Sequence, residues 1–218
     1  MSLVAEQVTF SYPKSPQVVL KETSVEFFAD EIAALTGPNG CGKTTLVKLL
    51  LGILTPQSGR VLLDGTNVSE LTLAEVGRLI GYVMQNPAQQ LFCTTVAEEM
   101  AYGLKNQGLE AAEIDSRTDY YLDYFQLTQH RESFPFHLSQ GEKQRLVLAA
   151  VLAMRPRYLM LDEPTAHLDV HRRQLLGELI LQIRKELGCG IIVVSHDEGF
   201  VRRYCQREVH LKGVCGDV

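Results

Sequence analysis

No apolar run in the 218-residue sequence approaches the roughly 20 residues that a helix needs to cross a bilayer. The first residues, Met1–Glu6, have neither the basic start nor the long apolar centre of a signal peptide. These absences predict a soluble, cytoplasmic protein. The chain also lacks internal repeats and low-complexity linkers, so its length suits one large globular domain, or one domain with a sizeable insertion.

The sequence has no C-x-x-C pair and no strong excess of either charge. Its five cysteines are an odd number at scattered positions, which is typical of reduced thiols rather than of a disulfide framework or a zinc site. The net charge of −5 disfavours a surface that coats nucleic acid. We therefore expect no nucleic-acid partner.

A glycine-rich segment carries the strongest functional signal. It follows the apolar run Ile32–Leu35, precedes Leu46–Leu50 and fits the pattern G-x-x-x-x-G-K-[ST]. A strand, a glycine loop and a helix N-terminus in this order let successive backbone N–H groups converge on phosphate oxygens. The pattern predicts binding of a nucleoside triphosphate, with a chance glycine turn as the alternative. The residues assigned to the nucleotide here are Asn39, Gly40, Cys41, Gly42, Lys43, Thr44 and Thr45.

Two loop residues and two acids further along the chain are expected to have separate roles in binding and hydrolysing the nucleotide. Lys43 supplies a cation for the β- and γ-phosphates, and the Thr44 hydroxyl is placed for Mg²⁺. The strand-like run Tyr158–Leu161 ends in Asp162 and Glu163. We expect Asp162 to hold Mg²⁺ through water, and Glu163 to accept a proton from the water that attacks the γ-phosphate. A helix-capping turn is the alternative explanation of this acid pair.

Apolar periodicity predicts an α/β fold. Strands are predicted at Val4–Phe10, Val18–Phe28, Arg60–Leu63, Ile80–Met84, Tyr158–Leu161 and Ile191–Ser195. Helices are predicted at Val96–Asn106, Ala111–Phe125, Gly141–Met154 and His171–Leu187, with a short one from Asp197. We interpret residues 1–85 and 155–218 as a nucleotide-binding core with a partly antiparallel N-terminal part, and 86–154 as a helical insertion. Gly213–Val218 are expected to fray.

A further set of motifs resembles a known family. The segment Leu138–Glu142, with the sequence LSQGE, precedes a predicted helix and is similar to the LSGGQ signature of ABC-type ATPases. The companion elements follow in the family order: Gln85 after a strand, Ala166–Asp169 after the acid pair, and Ser195–Asp197 after the last core strand. A simple helix-capping box within the segment is the alternative explanation. The segment can serve both as a helix cap and as an ATPase signature.

The resemblance implies a P-loop NTPase core of mostly parallel sheet, an N-terminal antiparallel β subdomain and an inserted α-helical subdomain. It also implies two ATPase subunits, identical or homologous, that clamp ATP head to tail between the loop of one and the signature of the other. Ser139 and Gly141 would touch the γ-phosphate bound by the partner, and Asp169 would cross the dimer seam. His196 would orient the γ-phosphate and the attacking water, and Gln85 would approach Mg²⁺.

Three further interpretations concern single residues. Tyr12 resembles the aromatic residue that stacks on adenine, while packing of a turn tyrosine on its neighbours is the alternative. Cys41 is expected to lie beside the nucleotide, which would protect its thiol from alkylation. The other histidines are interpreted as structural: His130, His137, His167, His171 and His210.

Within the family, three segments resemble the ATPase subunits of energy-coupling-factor importers, which take up vitamins or transition-metal ions. These segments are Phe10–Pro13, Gln85–Phe92 and Val96–Glu99. This resemblance implies an ATP-hydrolysing subunit at the cytoplasmic face of the cell membrane, bound to a transmembrane subunit. A nucleotide-gated regulatory subunit that is not coupled to transport is the alternative.

The segment after Gln85 would form the groove in which the transmembrane partner docks. Its apolar Leu91-Phe92 and acidic Glu98-Glu99 would face that partner, although Phe92 could equally belong to the core. The signature departs from the family pattern at Gln140 and Glu142, and the bulkier Gln140 could weaken the approach to the γ-phosphate.

Overall fold

The computed structural model describes residues 1–13, 15, 17–166 and 168–213. Its first sheet is antiparallel and has the strand order β2-β1-β4-β5. The strands are β1 (Ser2–Ser11), β2 (Val18–Phe28), β4 (Ser58–Leu63) and β5 (Thr66–Asn67). Burial alternates along much of β1, so one face of this sheet packs against the core.

The second sheet is parallel throughout and has the strand order β6-β7-β8-β3-β9. Its strands are β3 (Ile32–Thr36), β6 (Ile80–Val83), β7 (Tyr158–Asp162), β8 (Gly190–Val194) and β9 (Arg207–His210). All residues of β3 and β8 are buried, which is expected of strands covered on both faces.

The helices lie between these strands in the chain. Those that the structure describes are α1 (Lys43–Leu50), α2 (Leu73–Leu79), α3 (Val96–Asn106), α4 (Ala111–Tyr124), α5 (Gln140–Ala153), α6 (Val170–Leu187) and α7 (Glu198–Tyr204). Capping boxes begin α2, α3 and α5, at Thr72, Thr95 and Ser139 respectively. In each box the hydroxyl accepts from the N3 backbone N–H, and the N3 glutamate accepts from the cap N–H, which fixes the first residue of the helix.

The parallel sheet separates two hydrophobic cores. Leu159 and Leu161 of β7 pack into a core with α3, α4, α5, α6 and α7. Tyr158 and Met160, which point to the opposite face, pack with α1 and the antiparallel sheet. This two-residue alternation places the helical insertion on one side of the sheet and the N-terminal β part on the other.

The expected fold class is confirmed: the chain has a mostly parallel sheet, an N-terminal antiparallel part and an inserted set of helices. Every predicted strand and helix is present within two residues of its predicted ends. The sequence-based interpretation missed α2, β5 and β9. The division of the chain after residues 85 and 154 stays a prediction.

Three further sequence predictions concern thiols, the C-terminus and membrane spans. Cys41, Cys93, Cys189 and Cys205 are free thiols, whereas Cys215 lies outside the described residues. Of the segment expected to fray, residues 214–218 also lie outside them. Among the helices of the described part, none is long and apolar enough to cross a membrane.

Candidate functional site: a phosphate loop and acid pair at one sheet edge

The glycine-rich loop joins the carboxyl end of β3 to the first residue of α1. Gly37 has a φ of 146°, and a Cβ there would lie 2.5 Å from the carbonyl oxygen of Leu211. Gly42 precedes α1 with a φ of 99° and provides no side-chain cap. Within the described residues, the N–H groups of Gly42, Lys43 and Thr44 donate no hydrogen bond. The loop therefore offers a set of unused donors at a helix N-terminus, where anions bind.

Lys43 lies folded across the loop. Its Nζ donates to the carbonyl oxygens of Gly37, at 2.8 Å, and Pro38, at 3.1 Å. Thr44 is exposed, so its hydroxyl is accessible from outside the loop. Thr45 is buried. The cation and the Thr44 hydroxyl are thus both present at the place that the sequence predicted.

Tyr12 contacts the start of α1. Its hydroxyl lies 3.1 Å from Thr45 Oγ1, and its ring meets the ring of Phe10 edge to face, with 5.0 Å between centroids. The side chain is nevertheless 38% exposed. Packing on neighbours, the alternative for this tyrosine, is therefore observed, and a role in stacking on adenine stays a prediction.

The Cys41 thiol is buried in the structure, which the sequence analysis did not anticipate. The side chain is only 6% exposed and belongs to the core beneath the loop, where its Sγ lies near Gly37. Protection of this thiol from alkylation by bound nucleotide stays a prediction. The backbone of Cys41 remains part of the loop.

Asp162 is the last residue of β7, and the hydroxyl of Tyr82 donates to its Oδ2 at 2.8 Å. Burial raises the pKa of Asp162, and the Tyr82 hydrogen bond opposes that rise. Burial, and then the neighbouring carboxylate, raises the pKa of Tyr82. The sequence analysis missed Tyr82. Tyr82 lies in β6, opposite Met160 of β7, so pairing these two strands in the correct register would have placed it near Asp162.

Glu163 and His196 lie side by side after two neighbouring parallel strands. Glu163 has a left-handed φ of 46°, and its N–H donates to Val194 at 2.8 Å. Its Oε2 lies 2.9 Å from His196 Nδ1. This oxygen is buried, and the approach of the imidazole lacks hydrogen-bond geometry, so Oε2 has no hydrogen-bond partner among the described residues. A buried, unpartnered carboxylate oxygen beside an exposed histidine suits a group that receives a proton.

Strand order brings the loop, the acid pair, Gln85 and His196 to one edge. The strands β6, β7, β8 and β3 are consecutive neighbours in the parallel sheet, and each of these groups follows the carboxyl end of one strand. Ligands of open parallel sheets bind outside this edge. Gln85 is exposed there. The adjoining turn is held by Gln90, whose side chain accepts from Met84 N–H and donates to Tyr82 O, contacts that the sequence analysis missed.

Ser139 begins α5 as its N-cap. Glu142 accepts from the Ser139 N–H at 2.8 Å, and Ser139 Oγ accepts from the Glu142 N–H at 3.4 Å. The capping contacts, with the Ser139 hydrogen bonds foremost, lower the pKa of Glu142. His130 adds a contact of 3.1 Å from Nε2 to the other Glu142 oxygen. The capping box that the sequence analysis gave as the alternative explanation of this segment is therefore observed. Binding of phosphate by the same segment stays a prediction.

The signature segment is exposed and remote from the loop of the same chain. Ser139, Gln140 and Gly141 face solvent, and a Cβ on Gly141 would meet no atom within 4 Å. Among the described residues, no hydrogen bond or ion pair joins positions 138–142 to positions 37–45. An exposed helix N-terminus of this kind can receive an anion from another molecule.

Asp169 caps its own helix. Its Oδ1 accepts from the backbone N–H of Arg172 at 2.8 Å at the start of α6, and this hydrogen bond lowers the pKa of Asp169. The side chain is exposed, so a role at a dimer seam stays a prediction. His167, which precedes it, lies outside the described residues. The other histidines interpreted as structural include His130, which contacts Glu142, and His210, whose Nδ1 lies 3.2 Å from Thr36.

The predicted docking segment divides into core and surface. Leu91 is buried, which corrects the expectation that it faces a partner. Glu99 is also buried, and its carboxylate accepts from the N–H groups of Phe92 and Cys93. Glu98 closes the capping box of α3. Both acids are therefore engaged within the chain.

Phe92 in this segment and Tyr102 form an exposed aromatic pair. Phe92 is 62% exposed, so the alternative that it belongs to the core is wrong. Its ring meets Tyr102 of α3 edge to face at 4.7 Å, and Tyr102 is exposed as well. Paired aromatic side chains at a surface are typical of protein interfaces.

Comparison with known proteins identifies the family. A family model described as ABC transporter matches residues 20–166, which is more than half of the chain. The chain belongs to the ABC transporter ATPase family. It is therefore an ATP-binding, ATP-hydrolysing subunit of a transporter.

Two relatives show the extent of the similarity to this ABC ATPase. A Pyrococcus horikoshii protein named as an ABC transporter ATP-binding protein is 44% identical over 196 residues, covering 90% of this chain and 75% of the relative. The energy-coupling factor transporter ATP-binding protein EcfA1 of Lacticaseibacillus paracasei is 37% identical over 192 residues, covering 88% of this chain and 69% of the relative.

Two solved structures resemble the ABC ATPase described here. CbiO1 of Clostridium perfringens, part of the ABC transporter complex CbiONQ, has a TM-score of 0.88 at 34% identity, covering 96% of this chain and 84% of that chain. An ATP-binding cassette solved as a dimer in a post-hydrolysis state with ADP and Pi has a TM-score of 0.82 at 25% identity, covering 96% and 94% respectively.

Proposed function

We propose that this ABC ATPase powers a membrane importer of the energy-coupling-factor type, which takes up a vitamin or a transition-metal ion. The similarity to EcfA1 and to CbiO1 supports this proposal. The observation that carries it is the exposed pair Phe92 and Tyr102, which lies in the segment expected to meet a transmembrane subunit. The chain would then work as a peripheral protein at the cytoplasmic face of the membrane.

In the proposed hydrolysis, the loop 37–44 would hold the phosphates of ATP. Lys43 would exchange its two carbonyl acceptors for the β- and γ-phosphates, because charged oxygens are the stronger acceptors. Glu163 would take the proton of the attacking water, since it follows β7 at the sheet edge where the phosphate loop lies. His196, with Nδ1 at 2.9 Å from that oxygen, would orient the water and the γ-phosphate.

We further propose Thr44, Gln85 and Asp162 as the residues that would hold Mg²⁺. A hydroxyl, an amide oxygen and a carboxylate are the oxygen donors that this ion prefers. Among the described residues, no group of three or more histidine, cysteine or acidic side chains could hold a metal, so phosphate oxygens would complete the set. The ion would neutralise charge on the phosphates.

The proposed partner in catalysis is a second ABC ATPase, either a copy of this chain or a homologue. Ser139 and Gly141 would receive the γ-phosphate bound to the loop of that partner, and Asp169 would lie at the seam. This arrangement is supported by the exposure of positions 139–141 and by their separation from the loop of the same chain. Gln140 would then lie at the interface rather than in the core.

Purification of the tagged chain from solubilised membranes tests the importer proposal. We expect a subunit with several transmembrane helices to co-purify, and Phe92→Glu to abolish its recovery while the ATPase rate of the isolated chain is unchanged. Leu181→Glu, which places the same charge on an exposed position of α6, is the matched control and should retain the subunit. Recovery of soluble partners alone would contradict transport and favour a regulatory subunit.

A further inference from the structure

A second concave site lies apart from the nucleotide loop. It is formed by α4, by the C-terminal ends of α5 and α6, and by the residues that follow these two ends. The volume is about 460 Å³, within the range of small-molecule sites. Its apolar lining includes Leu152 and Leu187, and the rings of Tyr120 and Tyr121 stand beside them. None of the residues assigned to ATP lines this cavity.

Two arginines line the cavity. Arg155 follows the end of α5 with a left-handed φ of 54° and is exposed, and its side chain forms no hydrogen bond or ion pair with any part of the chain that the structure describes. The side chain of Arg117 is only 13% exposed. It donates to the carbonyl oxygen of Ala153 at 3.0 Å and pairs with Glu113, yet its buried Nε has no acceptor among the described residues.

The acids near the cavity leave one arginine unpaired. Glu113 balances the charge of Arg117, and Glu186, the acid among the lining residues, already accepts from Gln182 at 3.1 Å through its Oε1. The guanidinium group of Arg155 therefore has no partner among the described residues. Its N–H donors can pair with an anion that enters the cavity.

We propose that this cavity binds a small aromatic phosphate or carboxylate. The anionic group accepts hydrogen bonds from the Arg155 side chain, because the planar guanidinium group matches the geometry of both anions. The aromatic ring lies against Tyr120 and Tyr121, over the apolar lining around Leu152. Recognition thus needs both halves of the ligand, the ring and the anion.

Fluorescence titration provides the test, because the chain contains no tryptophan. The Tyr120→Trp variant places a single indole at the cavity, and a saturating, non-hydrolysable ATP analogue with Mg²⁺ keeps the phosphate loop filled. We expect phenyl phosphate and benzoate to change the indole emission saturably. Inorganic phosphate and phenol, which each lack one half, should bind at least about tenfold more weakly.

A charge-matched pair of variants locates the site. In the Tyr120→Trp background, Arg155→Gln should raise the Kd for phenyl phosphate about tenfold, because a charge-assisted hydrogen bond is lost. Arg202→Gln removes an exposed positive charge from α7, outside the cavity lining, and should leave the Kd unchanged. An equal Kd in both variants would overturn the proposal.

Saturation-transfer NMR on the unmodified chain guards against an effect of the new indole. Transfer from the protein to the phenyl protons, with the nucleotide site filled, is the expected result. If no transfer occurs through the millimolar range of phenyl phosphate, the cavity has no such ligand and the proposal fails.

Discussion

At the residue scale, the environment of Asp162 disfavours the charged form of its carboxyl group. The carboxylate is partly buried, and burial raises its pKa above the ordinary value of 3.8, while the Tyr82 hydrogen bond works in the other direction. A carboxyl group whose pKa is raised by folding binds its proton more tightly in the folded state. The charged form therefore destabilises the fold at neutral pH, and this destabilisation disappears as the pH falls through the raised pKa.

Asp162→Asn should accordingly raise Tm at neutral pH. The gain is at most about 2 °C, because the site is partly solvated and solvent screening weakens the effect. It should shrink as the pH falls through the raised pKa of Asp162, because the carboxyl group itself then becomes protonated. Thermal unfolding at several pH values measures this difference.

Tyr82→Phe is the control for the same site. It removes the hydroxyl that donates to Asp162. The free energy of unfolding should fall by roughly 1 kcal/mol, the contribution of the lost hydrogen bond, and Tm at neutral pH should fall with it. A lower Tm for Asp162→Asn at every pH would contradict the assignment of burial as the dominant cause.

At the scale of single elements, two helices begin with the same capping chemistry in different settings. Ser139 opens α5 in the signature segment, and Thr95 opens α3 in the segment after Gln85. Each hydroxyl accepts from the N–H of a glutamate three residues later. The two caps should therefore contribute similarly to stability, whereas only Ser139 is proposed to contact ATP.

Ser139→Ala and Thr95→Ala form a matched pair. Each should cost about 1 kcal/mol of unfolding free energy, or about 2–4 °C in Tm for a chain of this size. Only Ser139→Ala should also lower the ATPase rate, by about tenfold or more, because it removes a hydroxyl that is proposed to contact the γ-phosphate of the partner. Equal ATPase rates in the two variants would show that Ser139 is a cap and nothing further.

Two elements that sequence patterns predict have local causes. The apolar alternation of β2 and the capping box of α3 lie within the elements themselves, and the predicted bounds Val18–Phe28 and Val96–Asn106 agree with the structure. By contrast, β9 has the short pattern Arg-Glu-Val-His and is ordered by pairing with β3, which is distant in the chain. A short strand of this kind has too little periodicity to be detected.

The same distinction holds for the site. The glycine loop and the acid pair are visible in the sequence because contiguous residues carry their chemistry. The Tyr82 contact to Asp162 depends on the alignment of β6 with β7, and the burial of Cys41 depends on core packing beneath the loop. Such contacts between distant parts of the chain leave no pattern in a single sequence.

At the scale of the whole molecule, the fold separates the two halves of the proposed ATP site. The loop, Asp162, Glu163 and His196 lie at the carboxyl edge of the parallel sheet, while Ser139 lies at the exposed N-terminus of α5. One chain therefore has a surface that binds phosphates and another that can cover phosphates held by a neighbour. Two chains arranged head to tail would complete two sites, which is the central claim of the proposed mechanism.

Size-exclusion chromatography of Glu163→Gln with MgATP tests that claim most directly. Loss of the base should slow hydrolysis by at least about 100-fold and leave ATP binding intact, so the closed pair should accumulate. We predict a shift from monomer to dimer with MgATP. The shift should be absent when Lys43→Ala is added, because ATP binding is lost, and when Ser139→Arg is added, because closure is blocked. A Glu163→Gln protein that binds MgATP and remains a monomer would contradict pairing of this chain with itself.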